Sequence, residues 1–512
     1  MNTKQIIKNI SFLILLLLVF WTSGCRKDFD VVPGNGDFKT STDTLFLDSV
    51  FTNIASRTYY FKIYNTSSTD IYLNKIYLEK KENSFYRLNV DGKPGKEFEN
   101  ILIHAKDSIF VFVEVTADIN RLPDPVYEEN LYIEDNALTK KVLLTAFIKD
   151  ADFYYPARFP DGSKDSLTVY IDPQTGETSK IAGFFLPDNT TFTSDKAIVI
   201  YGHMAVPPGK TLTIEKGSHL YFHYNSGLIV WENATLKVNG ELGEEVIFED
   251  DRMEPEYENK PGMWNFIWLR ENAINNEMDY AIIKNASVGI EAMPTNNGRP
   301  ILTIKNTQIY NASLVGIYAI GAEIKAENLV LNNFSLNAVR IDLGGSYEFE
   351  HCTIANYNNG IRNEKSGAFY ARNFYDTPDN TRYINDLENL QISNCIIYGN
   401  NSIEYFIEKD SGALFEYEIK NTLIKFKDIQ NRFTNREELN FNDAIHYHSI
   451  LLNEDPDFYM PWENQLIIGE NSPCINKGDL CTALSVPLDI KGVDRTLAPD
   501  LGAYQHITFP ND

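Results

Sequence analysis

No run of Lys or Arg occurs in this chain of 512 residues, and its formal charge is −25. Such a surface repels phosphate and anionic headgroups, which excludes nucleic acid as a partner. Anionic polysaccharides are disfavoured by the same repulsion. After one apolar run, Phe12 to Phe20, no second run approaches the length of a membrane helix. No Gly-x-Ser-x-Gly, phosphate loop, dinucleotide fingerprint or zinc-finger spacing is present. The acidic stretch Asp250 to Lys260 lacks calcium-loop spacing. His219 with His223 and His446 with His448 have no acidic or Cys partner identifiable from sequence. No metal and no cofactor is therefore expected. What the chain has is Tyr (29) and Phe (31), among many Asn, Thr and Ile. That composition favours a β protein.

Lys4 and Lys8 precede the apolar run, which ends in small residues, as a secretory signal does. Thr22-Ser23-Gly24-Cys25 then resembles the lipobox of bacterial lipoproteins, which implies that Cys25 becomes the lipidated first residue. Arg26-Lys27-Asp28-Phe29-Asp30 resembles the surface-export signal of Bacteroidetes lipoproteins. The resemblance implies an outer-membrane lipoprotein, surface-exposed or on the periplasmic face, with membrane lipid as its partner through Cys25. An ordinary signal peptide with an unrelated cysteine, or an uncleaved anchor, is the alternative.

Residues 1–24 are read as the signal and 25–40 as a Pro- and Gly-containing tether. Seven β-rich runs follow within 41–151: TLFLDSVFT, TYYFKIYN, IYLNKIYL, FYRLNV, SIFVFVEVT, ENLYIED and KKVLLTAFI. In the second, Tyr60, Lys62 and Tyr64 alternate with Phe61 and Ile63, as in a half-buried strand. The set predicts a β-sandwich. It resembles the immunoglobulin-like domain at the front of Bacteroidetes surface lipoproteins, without an inter-sheet cysteine pair. Residues 152–196 are read as a connecting region, with a hairpin near 172–176.

From about Ala197 short strands alternate with Gly-containing turns and show no helical period. VPPGKTLTIEKG, LKVNG, VIF and the later WNFIWL resemble the opening coils of a right-handed parallel β-helix. Asn306, Asn328, His351, Asn394 and Asn421 align as equivalent positions, at steps of about 22, 23, 43 and 27 residues. The 43 is read as two coils. This is a solenoid period, and it places the β-helix at 197–430. Asn tolerates the left-handed backbone of a tight corner, so these residues are read as architecture. Ile309, Val330, Ile354 and Ile396 are expected to stack as one buried column. A Gly-Ile landmark recurs at 289–290, 316–317 and 360–361. Cys352 and Cys395 lie in apolar strands and are expected to be buried thiols.

Residues 431–512 contain DPDF, NSPCINKGD and VPLDIKGVDRTLAPDLGAYQ. These are similar to the closing element of bacterial parallel β-helix proteins, matched at Asp455, Phe458, Cys474, Asp489, Arg495, Asp500, Gly502 and Tyr504 among others. The resemblance implies a C-terminal cap over the solenoid's open edge. Cys474 and Cys481 lie close in a loop-rich region, where a disulfide or two free thiols are both open.

The fold class expected is thus all-β: a sandwich, then a β-helix with a C-terminal cap. β-Helices host polysaccharide lyases and hydrolases. A hydrolase needs two carboxylates at a set separation, and a lyase needs a base. Arg340, Asp342, Glu348, Glu350 and His351 lie on adjacent coils and are read mainly as a solvated face. The long interruption 361–386 is expected to expose Phe369, Tyr370 and Tyr375, which with Arg340 and Asp342 are the candidate ligand contacts. The leading reading is a non-catalytic binding or structural surface protein that contacts a polysaccharide or a protein through the β-helix face. A polysaccharide lyase or glycoside hydrolase is the alternative.

Overall fold

A computed structural model describes residues 31–172, 175–295 and 301–510. Cys25 lies outside the described residues. The chain is all-β and divides into two compact units between Lys149 and Asp150.

The first unit is a six-stranded and a five-stranded sheet enclosing one core. Strand Tyr59–Asn65 buries Phe61 and Ile63 and turns Tyr60, Lys62 and Tyr64 outward, as its alternation predicts. Strand Glu97–Ile103, which pairs with Ile71–Leu78, escaped the sequence reading. Its buried residues are Phe98, Ile101 and Ile103, because Asn100 adopts a left-handed φ of 53° and breaks the period of two.

The second unit is built from three long, predominantly parallel sheets. The first runs from Ala151–Tyr154 to Leu451–Leu452, the second from Ser166–Ile171 to Tyr405–Glu408, and the third from Thr190–Phe192 to Tyr447–His448. Each turn of chain gives one strand to each sheet, which fits a parallel β-helix. Residues 152–196 are therefore no mere connection. Ala151–Tyr154 pairs with Ala197–Ile200, and the Thr178–Phe185 arm of the expected hairpin pairs with His203–Val206. The hairpin insertion hides this first coil from the repeat.

The corner positions hold. Asn306, Asn328, His351, Asn394 and Asn421 all have left-handed φ, between 44° and 55°. They also stack: Asn328 Nδ2 donates to Asn306 Oδ1 at 2.8 Å, and Asn394 Nδ2 to His351 Nε2 at 2.9 Å. The 43-residue step, however, is one enlarged coil, since Thr353–Asn356 pairs directly with Ile396–Gly399. The proposed column is also out of register. The inward column is Ile283, Ile309, Leu331, Ile354, Ile397 and Ile424. Val330 and Ile396 face outward, yet they are buried under the C-terminal element. A slip of one residue exchanges the two faces of a strand, and here both faces are apolar.

The end of the solenoid is covered by residues 426–447. Phe426, Phe433, Leu439 and Phe441 pack on the core of the last coils. The closing motif lies elsewhere, across the outer face of the first sheet. Phe458, Leu466, Cys474, Leu501 and Tyr504 pack there on Tyr310, Val330, Ile396 and Leu423. The corner asparagines hold it: Asn328 Nδ2 donates to Leu488 O, Asn421 Nδ2 to Lys477 O, and Asp479 N to Asn394 Oδ1. The expected cap is thus a lateral strap. Within it Cys474 is a buried free thiol, and Cys481 is an exposed free thiol on the short helix Leu480–Ser485, so the two are unbonded in this structure. Cys352 and Cys395 are buried free thiols on stacked coils.

Candidate functional site

The candidate contacts converge only in part. Phe369 and Tyr370 are buried, because the supposed loop contains Phe369–Arg372, a strand of the second sheet paired with Val339–Asp342. Phe369 points into the core and stacks on Tyr405. Tyr370 points outward but lies under Arg340, whose guanidinium is 5.0 Å from the ring centre. Tyr375 is half-buried on a small hairpin, Phe374–Asp376 with Arg382–Ile384.

Arg340 and Asp342 do share the outer face of the second sheet, and parallel register carries that face across the coils. Trp268, Glu291, Tyr318, Arg340, Tyr370 and Phe406 occupy one row. Trp268, Glu291, Tyr318 and Arg340 are partly exposed. Phe406 is covered by Phe433. Neighbouring strands are about 4.8 Å apart, so these four side chains make a narrow accessible ridge. The Gly-Ile landmark held the signal for two of them. Glu291 follows Gly289-Ile290, and Tyr318 follows Gly316-Ile317. The third landmark misleads, since Ile361 is fully exposed outside the row.

Two carboxylates on this face are saturated. Asp342 has no exposed surface; it accepts from Arg340 Nε at 2.9 Å, Arg372 Nε at 2.5 Å and Tyr318 OH at 3.1 Å. Glu408 accepts from Tyr370 OH and pairs with Lys365 Nζ at 2.9 Å and Arg436 Nη2 at 3.3 Å. These groups lock the face and leave no lone pair positioned for a reacting atom.

The other end of the row is open in its bonding. Burial alone holds the Glu291 carboxyl above the ordinary carboxylate range. Among the described residues, Trp268 Nε1 and Arg270 Nη1 are buried donors without a hydrogen-bond partner. The Arg270 guanidinium lies 4.0 Å from the Trp231 ring centre and 5.1 Å from that of Trp268. The region thus joins aromatic faces, two unsatisfied donors and one carboxyl.

Glu348, Glu350 and His351 do not belong to this face. Both glutamates are on the third sheet, where Lys325 lies 3.4 Å from Glu348 and 4.0 Å from Glu350. His351 is buried at a corner. The histidines of the two sequence pairs each find a carboxylate: His219 with Glu249 at 2.5 Å, His223 with Asp251 at 2.8 Å, His446 with Asp443 at 2.6 Å and His448 with Glu418 at 3.5 Å. No group of three or more His, Cys, Asp or Glu suited to a metal occurs among the described residues.

No protein-family model matches the chain. No curated protein matches it either. Among solved structures it is similar to a protein of unknown function from Porphyromonas gingivalis W83, with TM-score 0.17 and 13% identity over 22% of this chain and 49% of that one. A family 123 glycoside hydrolase from Clostridium perfringens gives TM-score 0.16 and 6% identity over 22% of this chain and 26% of that one. The chain thus spans about half the length of the first and about a quarter of the second. The catalytic unit of a GH87 alpha-1,3-glucanase from Streptomyces thermodiastaticus strain HF3-3 gives TM-score 0.23 and 11% identity over 71% of this chain and 83% of that one. Superpositions this loose carry no argument about activity.

Proposed function

We propose that this is a lipid-anchored surface protein that holds a glycan on the outer face of its second sheet without cleaving it. The N-terminal unit is read as an immunoglobulin-like sandwich, and the second unit as a right-handed parallel β-helix. Acylated Cys25 anchors the chain in the outer membrane, displayed outside, with the periplasmic face as the alternative placement. Replacing Cys25 with Ala is then expected to move the protein from the membrane to the soluble fraction. Unchanged membrane retention on fractionation would refute the anchor.

The observation that carries the glycan reading is the row from Trp268 to Arg340. Aromatic faces suit the apolar side of a sugar ring. The unsatisfied Trp268 and Arg270 donors call for hydroxyl oxygens, and Glu291 calls for a hydroxyl proton. The reading is non-catalytic because Asp342 and Glu408 are already fully engaged. Cleavage with two carboxylates needs both of them free to meet the scissile bond.

The test is a panel of neutral and acidic polysaccharides, followed for retention and for release of reducing or unsaturated ends. Retention without release is expected. Trp268→Ala and Tyr318→Ala should each weaken it about tenfold or more, the usual scale for a buried aromatic anchor. Release of reducing ends would favour the hydrolase reading, with Glu291 as general acid on the strength of its raised pKa.

A further inference from the structure

The five-stranded sheet of the N-terminal unit carries an outer face that a solvated sheet does not call for. Antiparallel sheets of this kind turn polar side chains to water. Here Tyr59–Asn65, Ser108–Val115 and Tyr86–Val90 run side by side, with Tyr60 opposite Phe112 and Phe112 opposite Asn89. Phe110 and Phe112 stack at 5.6 Å and 9°. Tyr60 meets both edge-on, at 5.3 and 6.1 Å. Tyr60 is 56% exposed and Phe110 is 37% exposed. The result is an accessible aromatic platform.

Cross-strand aromatic pairing stabilises sheets by itself, but two further features are not explained by it. Beside Phe112 lies a groove of about 460 Å³, walled by Thr58, Arg87, Asn89, Pro94 and Glu114. That is within the roughly 300–1,000 Å³ usual for small-molecule sites, which pair apolar walls with a few placed polar groups. At its wall, Asn89 Oδ1 is buried with no donor among the described residues. A buried acceptor left unpaired is unfavourable, and nothing in sheet pairing requires it.

The charges in the groove are mutually compensated. Arg87 pairs with Glu114 at 3.1 Å, and Thr58 Oγ1 donates to the same carboxylate at 2.5 Å. Lys62 lies over Phe110, 4.4 Å from the ring centre, at the edge away from the groove. An ionic ligand would find no free counter-charge between Arg87 and Glu114.

We infer that this face is a second carbohydrate site, independent of the solenoid row. It takes one uncharged pyranose unit, stacked on Phe112 with the Tyr60 ring against its edge, and a ring hydroxyl donates to Asn89 Oδ1 once that side chain turns into the groove. Aromatic rings supply a face for the sugar's C–H side, and the orphaned carbonyl fixes its orientation.

The experiment is calorimetric titration of the mature full chain with cellohexaose, mannohexaose and xylohexaose, alongside hexagalacturonate as the charged control. At least one neutral hexasaccharide is expected to bind. Tyr60→Ala and Asn89→Ala should each lower its affinity at least tenfold, or remove one equivalent of bound sugar. Tyr60→Trp should retain it, and in the Trp268→Ala variant the equivalent of sugar that Tyr60→Ala removes should still be bound. Thermal melting of each variant checks that the sheet is intact. The proposal is overturned if no neutral probe binds, if only hexagalacturonate binds, or if binding survives Tyr60→Ala and Asn89→Ala. Loss of this site alone leaves the solenoid reading standing, and loss on Trp268→Ala alone removes this one.

Discussion

Replacing Arg495 with Ala is expected to destabilise the second unit by about 3–5 kcal/mol, the range for stripping a buried polar partner and opening a large cavity. Arg495 is 1% exposed within the lateral strap. Its Nη2 donates to Asn328 Oδ1 at 2.9 Å, and its Nη1 to Gly502 O at 3.2 Å. Burial pulls its guanidinium down to about 10, so the cation is held at a desolvation cost. Alanine would leave Asn328 Oδ1 unpaired beside a void. Met fills much of the same volume without a charge, so Arg495→Met should cost clearly less. Denaturant unfolding separates the two variants. Hydrogen exchange should show lost protection over 454–510 in the Ala variant. Equal stabilities for Ala and Met would mean that volume contributes nothing, and an Arg495→Met variant as stable as the parent would refute the polar clamp.

The second large effect is acid sensitivity set by His351. Its imidazole is held well below the ordinary histidine range, by burial first and by the neighbouring Arg495 cation second. The unfolded chain therefore takes up a proton near pH 6.5 that the folded chain refuses. Stability is full above that pH and is lost as pH falls, by about 1.4 kcal/mol per unit. His351→Asn should flatten that slope. Asparagine tolerates the φ of 52°, and Asn394 Nδ2 can donate to its carbonyl as Asn328 donates to Asn306. Midpoints in urea between pH 5 and 8 test this as the difference between variant and parent. Parallel curves would mean that the imidazole is protonated in the folded state after all.

The strap explains why its motif is written as it is. Asp489 accepts from Lys491 N, Val493 N and Gln505 N, and Asp500 from Asn476 N and His506 N. Gly502 has φ of 89°, and a Cβ there would lie 2.7 Å from Thr353 Oγ1. These residues tie loops to one another and to the coils, which is an architectural use and identifies no activity.

Sequence alone determined the elements and the corners of this protein. Alternation marked the strands of the first unit, and a left-handed corner selected Asn at 306, 328, 394 and 421, because both properties depend on neighbours in sequence. Tertiary structure decided which apolar residues are core. Val330 and Ile396 resemble inward residues because a strap far along the chain covers their outer face; Arg495 reaches Asn328 across 167 positions. It also decided the candidate sites. Trp268, Glu291 and Tyr318 sit on three successive coils, and only the parallel register brings them into one row. The burial of Phe369 and the saturation of Asp342 have the same origin. Each depends on which strand lies one coil away, and a long insertion changes that neighbour without changing any local pattern.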